Sequence, residues 1–262
     1  MPVIGQGTWE MEQDPRSDAV AAIRRGVELG MSHLDTAEMY GSGRVEEVVG
    51  EALRGIRDRV FLVSKVLPSN ASFKGTLRAC EQSLRRLETD RLDGYLLHWP
   101  GSHPLEETFR AFEKLRADGK IRSWGVSNFD VEGMEEAVRV AGPGRIACNQ
   151  VLYNLGERTL EHALLPWCLG RGIAVVAYTP LAAKSFRSAE ALDGIAAARG
   201  ATPRQVALAF LLRQGAFAIP KSSRVAHVEE NASAAALCLS DEEAAAVDRA
   251  FPRGPWRGLA ML

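Results

Sequence analysis

Three observations in the 262-residue chain predict an α/β fold of one class, the closed (β/α)8 or TIM barrel. Short apolar runs alternate eight times with amphipathic stretches. The length suits one large domain, here taken as residues 1–262. Nearly every apolar run ends in a polar or aromatic residue, as the C-terminal mouth of a barrel requires.

The apolar runs start at Val3, Met31, Val60, Leu92, Ile121, Ala147, Ile173 and Phe217. Between the first two, Ala19, Val20, Ile23, Val27 and Leu29 space as the buried face of a helix. Leu77, Cys80, Leu84 and Leu87 form a second such face after the third run, with Arg and Glu opposite. Leu105, Phe109, Phe112 and Leu115 repeat the pattern after the fourth, and Gly119 stops that helix near Lys120. Pro203 suits the first turn of a helix running through Leu212, with Thr202 as its cap. Ala232 to Ala236 reads as helix filler, and Ser240 to Glu243 is a capping-box start for a last helix ending near Phe251. The rival, an open doubly wound sheet, expects Gly-x-Gly-x-x-Gly after its first strand. Gly5 and Gly7 supply only two of those glycines.

Composition narrows the partners. A net charge of −1 and basic clusters no longer than pairs such as Arg24-Arg25 build no surface for nucleic acid or an anionic membrane. No apolar segment approaches a membrane span, and residues 1–5 lack the blocks of a secretion signal. Cys80, Cys148, Cys168 and Cys238 are scattered, which suits free thiols in a cytoplasmic protein. No coiled-coil heptad appears, and a monomer is expected.

The predicted strand ends read Trp9, Asp35, Lys65, His98, Ser127-Asn128, Asn149-Gln150, Tyr178 and Lys221-Ser222. With Tyr40 just past the second end, an acid, a phenol, an ammonium and an imidazole converge on one opening. That set suits proton transfer to a carbonyl oxygen. Tyr40 is the candidate donor, and a Lys65 ammonium beside it is expected to lower its pKa from the usual 10. Asp35 would pair with Lys65, and His98 would direct the substrate oxygen. A metal-dependent hydrolase using His33, Asp35 and His98 is a weaker reading; no metal is expected.

Seven motifs in order resemble the aldo-keto reductase family. They are Gly7-Thr-Trp9, the segment His33 to Gly41, Ser64-Lys65, Leu97-His-Trp-Pro100, Lys120 to Phe129, Asn149 to Asn154, and Ile219-Pro-Lys-Ser222. The resemblance implies an NAD(P)H-dependent reductase of small aldehydes and ketones, with Asp35, Tyr40, Lys65 and His98 as the catalytic set. It implies that Ser127, Asn128 and Gln150 hold the nicotinamide carboxamide, that Tyr178 stacks on the ring, and that Leu181 gives backbone to the pyrophosphate. Lys221 and Ser222 would grip a 2′-phosphate; Glu230 and Asn231 would contact adenine. His227 stands where the family often has Arg, whose fork binds phosphate and stacks on adenine. NADPH is therefore expected, held less tightly, with NADH as the alternative.

Trp9, Trp99 and Trp256 are candidate apolar walls of the substrate pocket; Trp124, inside a strand pattern, is expected in core or outer packing instead. In the family the substrate loops follow the His and pyrophosphate motifs and close the chain. Here Gly101 to Leu105, Ala182 to Arg187 and the tail after Pro252 are short, and the family's N-terminal hairpin is expected to be missing or reduced to a stub. An open site for methylglyoxal and other short carbonyls is expected, on likeness to short-loop bacterial members. The alternative is a non-catalytic nucleotide-binding sensor or auxiliary subunit, against which the intact catalytic set argues.

Overall fold

A computed structural model describes residues 1–182 and 186–262. Its eight parallel strands run in sequence order: β1 Gln6–Gly7, β2 His33–Asp35, β3 Phe61–Val66, β4 Leu92–Leu97, β5 Ile121–Ser127, β6 Cys148–Leu152, β7 Ala174–Tyr178 and β8 Phe217–Ile219. The last strand returns to the first, so the sheet closes. Gly5 N–H donates to the Ala218 carbonyl at 2.8 Å, Ala218 N–H to that of Val3 at 2.9 Å, and Gly7 N–H to that of Pro220 at 3.2 Å.

The principal helices are α1 Arg16–Glu28, α2 Arg44–Leu53, α3 Phe73–Arg86, α4 Leu105–Ala117, α5 Val131–Ala141, α6 Leu164–Leu169, α7 Glu190–Arg199, α8 Pro203–Arg213, α9 Val225–Ser233 and α10 Asp241–Ala250. Their apolar faces and the outward strand residues make the main core. Phe109 of α4 stacks on Trp124 of β5 at 4.7 Å between ring centres, and Phe112 meets both Trp124 and Tyr95. Aromatic contacts at this spacing fill the sheet–helix layer and favour one arrangement of it.

Two expectations need correction. The first strand begins at Gln6 rather than Val3; Val3 is exposed, and only Ile4 bridges ahead of it, to Ala218. Leu29 is not part of the buried face of α1. That helix ends at Glu28, and Leu29, its C-cap, turns outward. The capping signals at Thr202 and Ser240 form full capping boxes with Gln205 and Glu243.

Register sets the height of each strand end. Asp35 pairs in register with Val63, so Lys65, two residues on and on the same face, stands one pleat nearer the mouth. Lys65 in turn is level with Leu96, which places His98 one pleat higher. The stagger of the closed sheet thus lifts successive side chains into one opening.

Candidate active site

Asp35 closes β2 and is buried at 1% exposure; Lys65 of β3 is wholly buried. A buried ammonium is tolerated only where every proton finds an acceptor. Lys65 Nζ donates to Asp35 Oδ1 at 2.5 Å, to the Thr36 carbonyl at 3.0 Å and to the Tyr40 hydroxyl at 3.2 Å. Its three protons are therefore assigned. Gln150 Nε2 donates to the other carboxylate oxygen of Asp35 at 2.7 Å. Burial lowers the Lys65 pKa, but Asp35 and Tyr40 together more than offset it, so the net shift is upward and the ammonium stays charged.

Because the Tyr40 oxygen accepts from Lys65, its own proton is left to aim elsewhere. Among the described residues no acceptor takes it. The tyrosine begins a single 3-10 turn, Tyr40–Gly43, and the chain reverses through two left-handed residues, Gly41 at φ 55° and Ser42 at φ 57°. A Cβ on Gly41 would lie 2.8 Å from Glu12 Cγ, so this close turn favours glycine twice over. Glu38 fixes the same segment. Its carboxylate accepts from Leu67 N–H at 2.7 Å and Asn70 Nδ2 at 3.0 Å, joining the loop after β2 to the loop after β3.

The expected fall in the Tyr40 pKa is not found. Burial raises it, Lys65 pulls it down, and burial wins. The His98 ring lies 5.8 Å from the Tyr40 ring and 4.8 Å from that of Trp99. Burial, aided by the nearby Lys65 charge, depresses the His98 pKa to about 2, so the imidazole is neutral. Its Nδ1 is buried without a partner among the described residues. His33 is likewise buried and neutral, with its pKa lowered by burial to about 4. No cluster of three or more His, Cys, Asp or Glu suited to a metal occurs among the described residues.

The next strand ends interlock beside this set. Ser127 Oγ donates to the Gln150 carbonyl at 2.8 Å. Asn128, left-handed at φ 63°, donates to the His98 carbonyl at 3.1 Å and accepts from the Tyr178 hydroxyl at 2.9 Å. Asn149 faces away from Gln150, as strand alternation requires, and binds the Phe129 carbonyl at 2.8 Å. Tyr178 is half-buried at the end of β7. Leu181 packs on the core; Ala183–Ser185, inside the short segment expected to wall the pocket, lie outside the described residues.

A second polar group gathers past β8. Lys221 Nζ meets Asp14 Oδ2 at 2.6 Å, and Ser223 Oγ donates to the same oxygen at 2.6 Å. Ser222 Oγ accepts from Arg224 N–H at 3.0 Å. On α9, His227 is half-buried, Asn231 is buried, and Glu230 accepts from the Thr202 hydroxyl at 2.6 Å. Trp9 and Trp256 are exposed, at 42% and 47%; Trp99 is half-buried. Sequence reasoning did not single out Asp14, Ser223 or Glu38. Each is an ordinary loop residue in the sequence, and only the meeting of distant loops gives it a partner.

The model of the aldo/keto reductase family matches residues 3–251. Methylglyoxal reductase YeaE of Escherichia coli K12 is 50% identical over 96% of this chain and 92% of its own length. Glyoxal reductase of Bacillus subtilis is 36% identical over 95% of this chain and 88% of its own. A Klebsiella pneumoniae aldo-keto reductase solved with NADPH superposes with a TM-score of 0.96 at 49% identity, over 100% of this chain and 95% of that one.

Proposed function

The chain belongs to the aldo/keto reductase family, an NAD(P)H-dependent oxidoreductase by that membership, and on this premise we propose that it reduces short aldehydes and dicarbonyls such as methylglyoxal with NADPH. The observation that carries the reading is the buried Asp35–Lys65–Tyr40 chain with His98 beside it. The names of the two reductase relatives and the NADPH-bound neighbour support the substrate class and the cofactor.

The donor set fits a reduced dinucleotide. Tyr178 offers a half-buried ring for stacking, and Ser127, Asn128 and Gln150 offer amide and hydroxyl groups for a carboxamide. Leu181 offers backbone for the pyrophosphate. Lys221 and Ser222 suit a 2′-phosphate, and His227, Glu230 and Asn231 line the adenine side. When bound, the reduced nicotinamide supplies the hydride. The chain's own residues do the rest. The neutral imidazole of His98 hydrogen-bonds the substrate oxygen and sets its direction. Tyr40 gives its proton to that oxygen as the carbonyl becomes an alcohol. Lys65 stabilises the resulting phenolate, and Asp35 keeps the ammonium charged and aimed. A phenol whose pKa burial has raised stays protonated at pH 7, as a proton donor must; Lys65 acts when negative charge forms on it. Solvent then returns the proton to Tyr40.

Trp9, Trp99 and Trp256 serve as apolar walls in this reading, and one barrel domain over residues 1–262 carries the whole site as a cytoplasmic monomer. The sensor alternative has no observation in its favour, since it leaves a fully paired buried ammonium next to a free phenolic proton without a purpose. Purified protein mixed with NADPH and methylglyoxal is expected to consume the reduced cofactor, read by its absorbance. No consumption with methylglyoxal or with a broad panel of aldehydes would overturn the proposal.

A further inference from the structure

Past the mouth of the barrel, the loop from β1 to α1 crosses to the segment after β8. There the Asp14 carboxylate holds Lys221 and Ser223 through one oxygen, Oδ2, at 2.6 Å from each. This is an anion seated on an ammonium and a hydroxyl, the same donor types that receive a phosphate ester. Burial pushes the Asp14 pKa up, but the hydrogen bonds from Lys221 and Ser223 and the charge of Lys221 together outweigh it, so the net shift is downward and the carboxyl stays ionised. The other carboxylate oxygen, Oδ1, accepts no hydrogen bond from a described residue. The pair is half-exposed, so it can open without unfolding its surroundings.

We propose that Asp14 is a specificity-determining residue that holds the 2′-phosphate seat against NADPH and narrows the preference for NADPH over NADH. The inference rests on the assignment of Lys221 and Ser222 to that phosphate. A 2′-phosphate arriving at Lys221 meets a carboxylate already bound there. Either the carboxylate withdraws, and its ion pair and hydrogen bond are lost, or two anions share one ammonium at close range. A ribose 2′-hydroxyl carries no charge and displaces nothing. It can donate to the open Oδ1, which is how acidic residues favour the unphosphorylated dinucleotide in other nucleotide folds. The substitution of His for Arg at position 227 acts in the same direction, because it removes a permanent charge from the phosphate side. The seat thus carries a built-in anion and one fewer cation.

The test is equilibrium titration of the intact protein with NADPH and, separately, NADH, read by tryptophan fluorescence or calorimetry. In Asp14→Asn, which keeps the shape and removes the charge, the Kd for NADPH is expected to fall about fivefold. The Kd for NADH is expected to stay level or rise. Asp14→Ala should do the same if the charge, not the loop geometry, matters. An unchanged or higher Kd for NADPH in both variants would overturn the proposal; a higher value would mean that Asp14 orients Lys221 for the phosphate. Lys221→Ala separates this from an error in the seat itself. It should weaken NADPH about tenfold or more and leave NADH alone. Equal loss for both nucleotides, or none for either, would remove the seat and the proposal with it.

Discussion

Lys65 and His98 show how burial decides what a side chain can do. Lys65 is charged in the interior because Asp35, Thr36 and Tyr40 each take one proton. His98 and His33 have no carboxylate able to offset their burial, and both are neutral, with pKa values near 2 and 4 against the ordinary 6.5 of a solvated imidazole. That difference is a stability statement. Both folded values lie below the unfolded one, so acid favours the unfolded chain. The stabilisation is complete above pH 6.5 and is lost as pH falls below it, through pH 4 for His33 and onward for His98. Each contributes about 1.4 kcal/mol per pH unit in that window, so the two together remove about 2–3 kcal/mol by pH 5.5. Urea unfolding at pH 7.5 and 5.5 is expected to show this loss, and a His98→Gln variant should lose about half as much. A midpoint that does not move between the two pH values would contradict the neutral assignment. Asp35, Tyr40, Lys65 and His98 were legible in the sequence because each lies at or just past the end of an apolar run. The net rise in the Tyr40 pKa was not, because the sequence names its neighbour but does not say how much water that neighbour excludes.

Among the elements, the helix ends show where local chemistry was enough and where it was not. Ser240 and Thr202 cap their helices as their sequences predict, since a capping box depends only on residues three apart. Thr202 does more. Its hydroxyl accepts from Gln205 N–H at 3.3 Å and donates to Glu230 of α9 at 2.6 Å, tying two helices at the side proposed for adenine. Thr202→Ala should therefore lower stability by more than a lone cap, about 1–2 kcal/mol, and leave the Glu230 carboxylate free to reorient. Chemical denaturation measures the first effect. A loss under about 0.3 kcal/mol would mean that the hydroxyl is replaced by water at no cost. The start of β1 differs because the apolar signal there is only the Val3-Ile4 pair, whereas pairing with β2 begins at the less apolar Gln6 and Gly7, a matter of register with a distant strand.

At the scale of the molecule, closure converts eight separate strand ends into one site. Gly125 shows how tightly the strands meet, for a Cβ there would lie 2.5 Å from the Cys148 carbonyl oxygen. The alternation and length of the chain were sufficient to expect the barrel, because eight strand–helix units admit few arrangements that bury both faces of the sheet. They could not disclose contacts between loops at opposite ends of the chain. Asp14 meets Lys221 and Ser223 only because β1 and β8 become neighbours at closure. Gln150 reaches Asp35 across the barrel interior, from β6 to β2, for the same reason. Residues proposed to receive a ligand also hold one another: Gln150 binds Asp35, Tyr178 binds Asn128 and Lys221 binds Asp14.

The most direct measurement compares wild type with Tyr40→Phe in two readouts, NADPH affinity and the rate of methylglyoxal-dependent NADPH oxidation. The substitution removes one hydroxyl that accepts a single hydrogen bond, so the fold and nucleotide affinity are expected to hold while turnover falls about 10²–10⁴-fold. A Tyr40→Phe protein that binds NADPH normally and turns over at close to the wild-type rate would show that the reacting oxygen takes its proton from elsewhere.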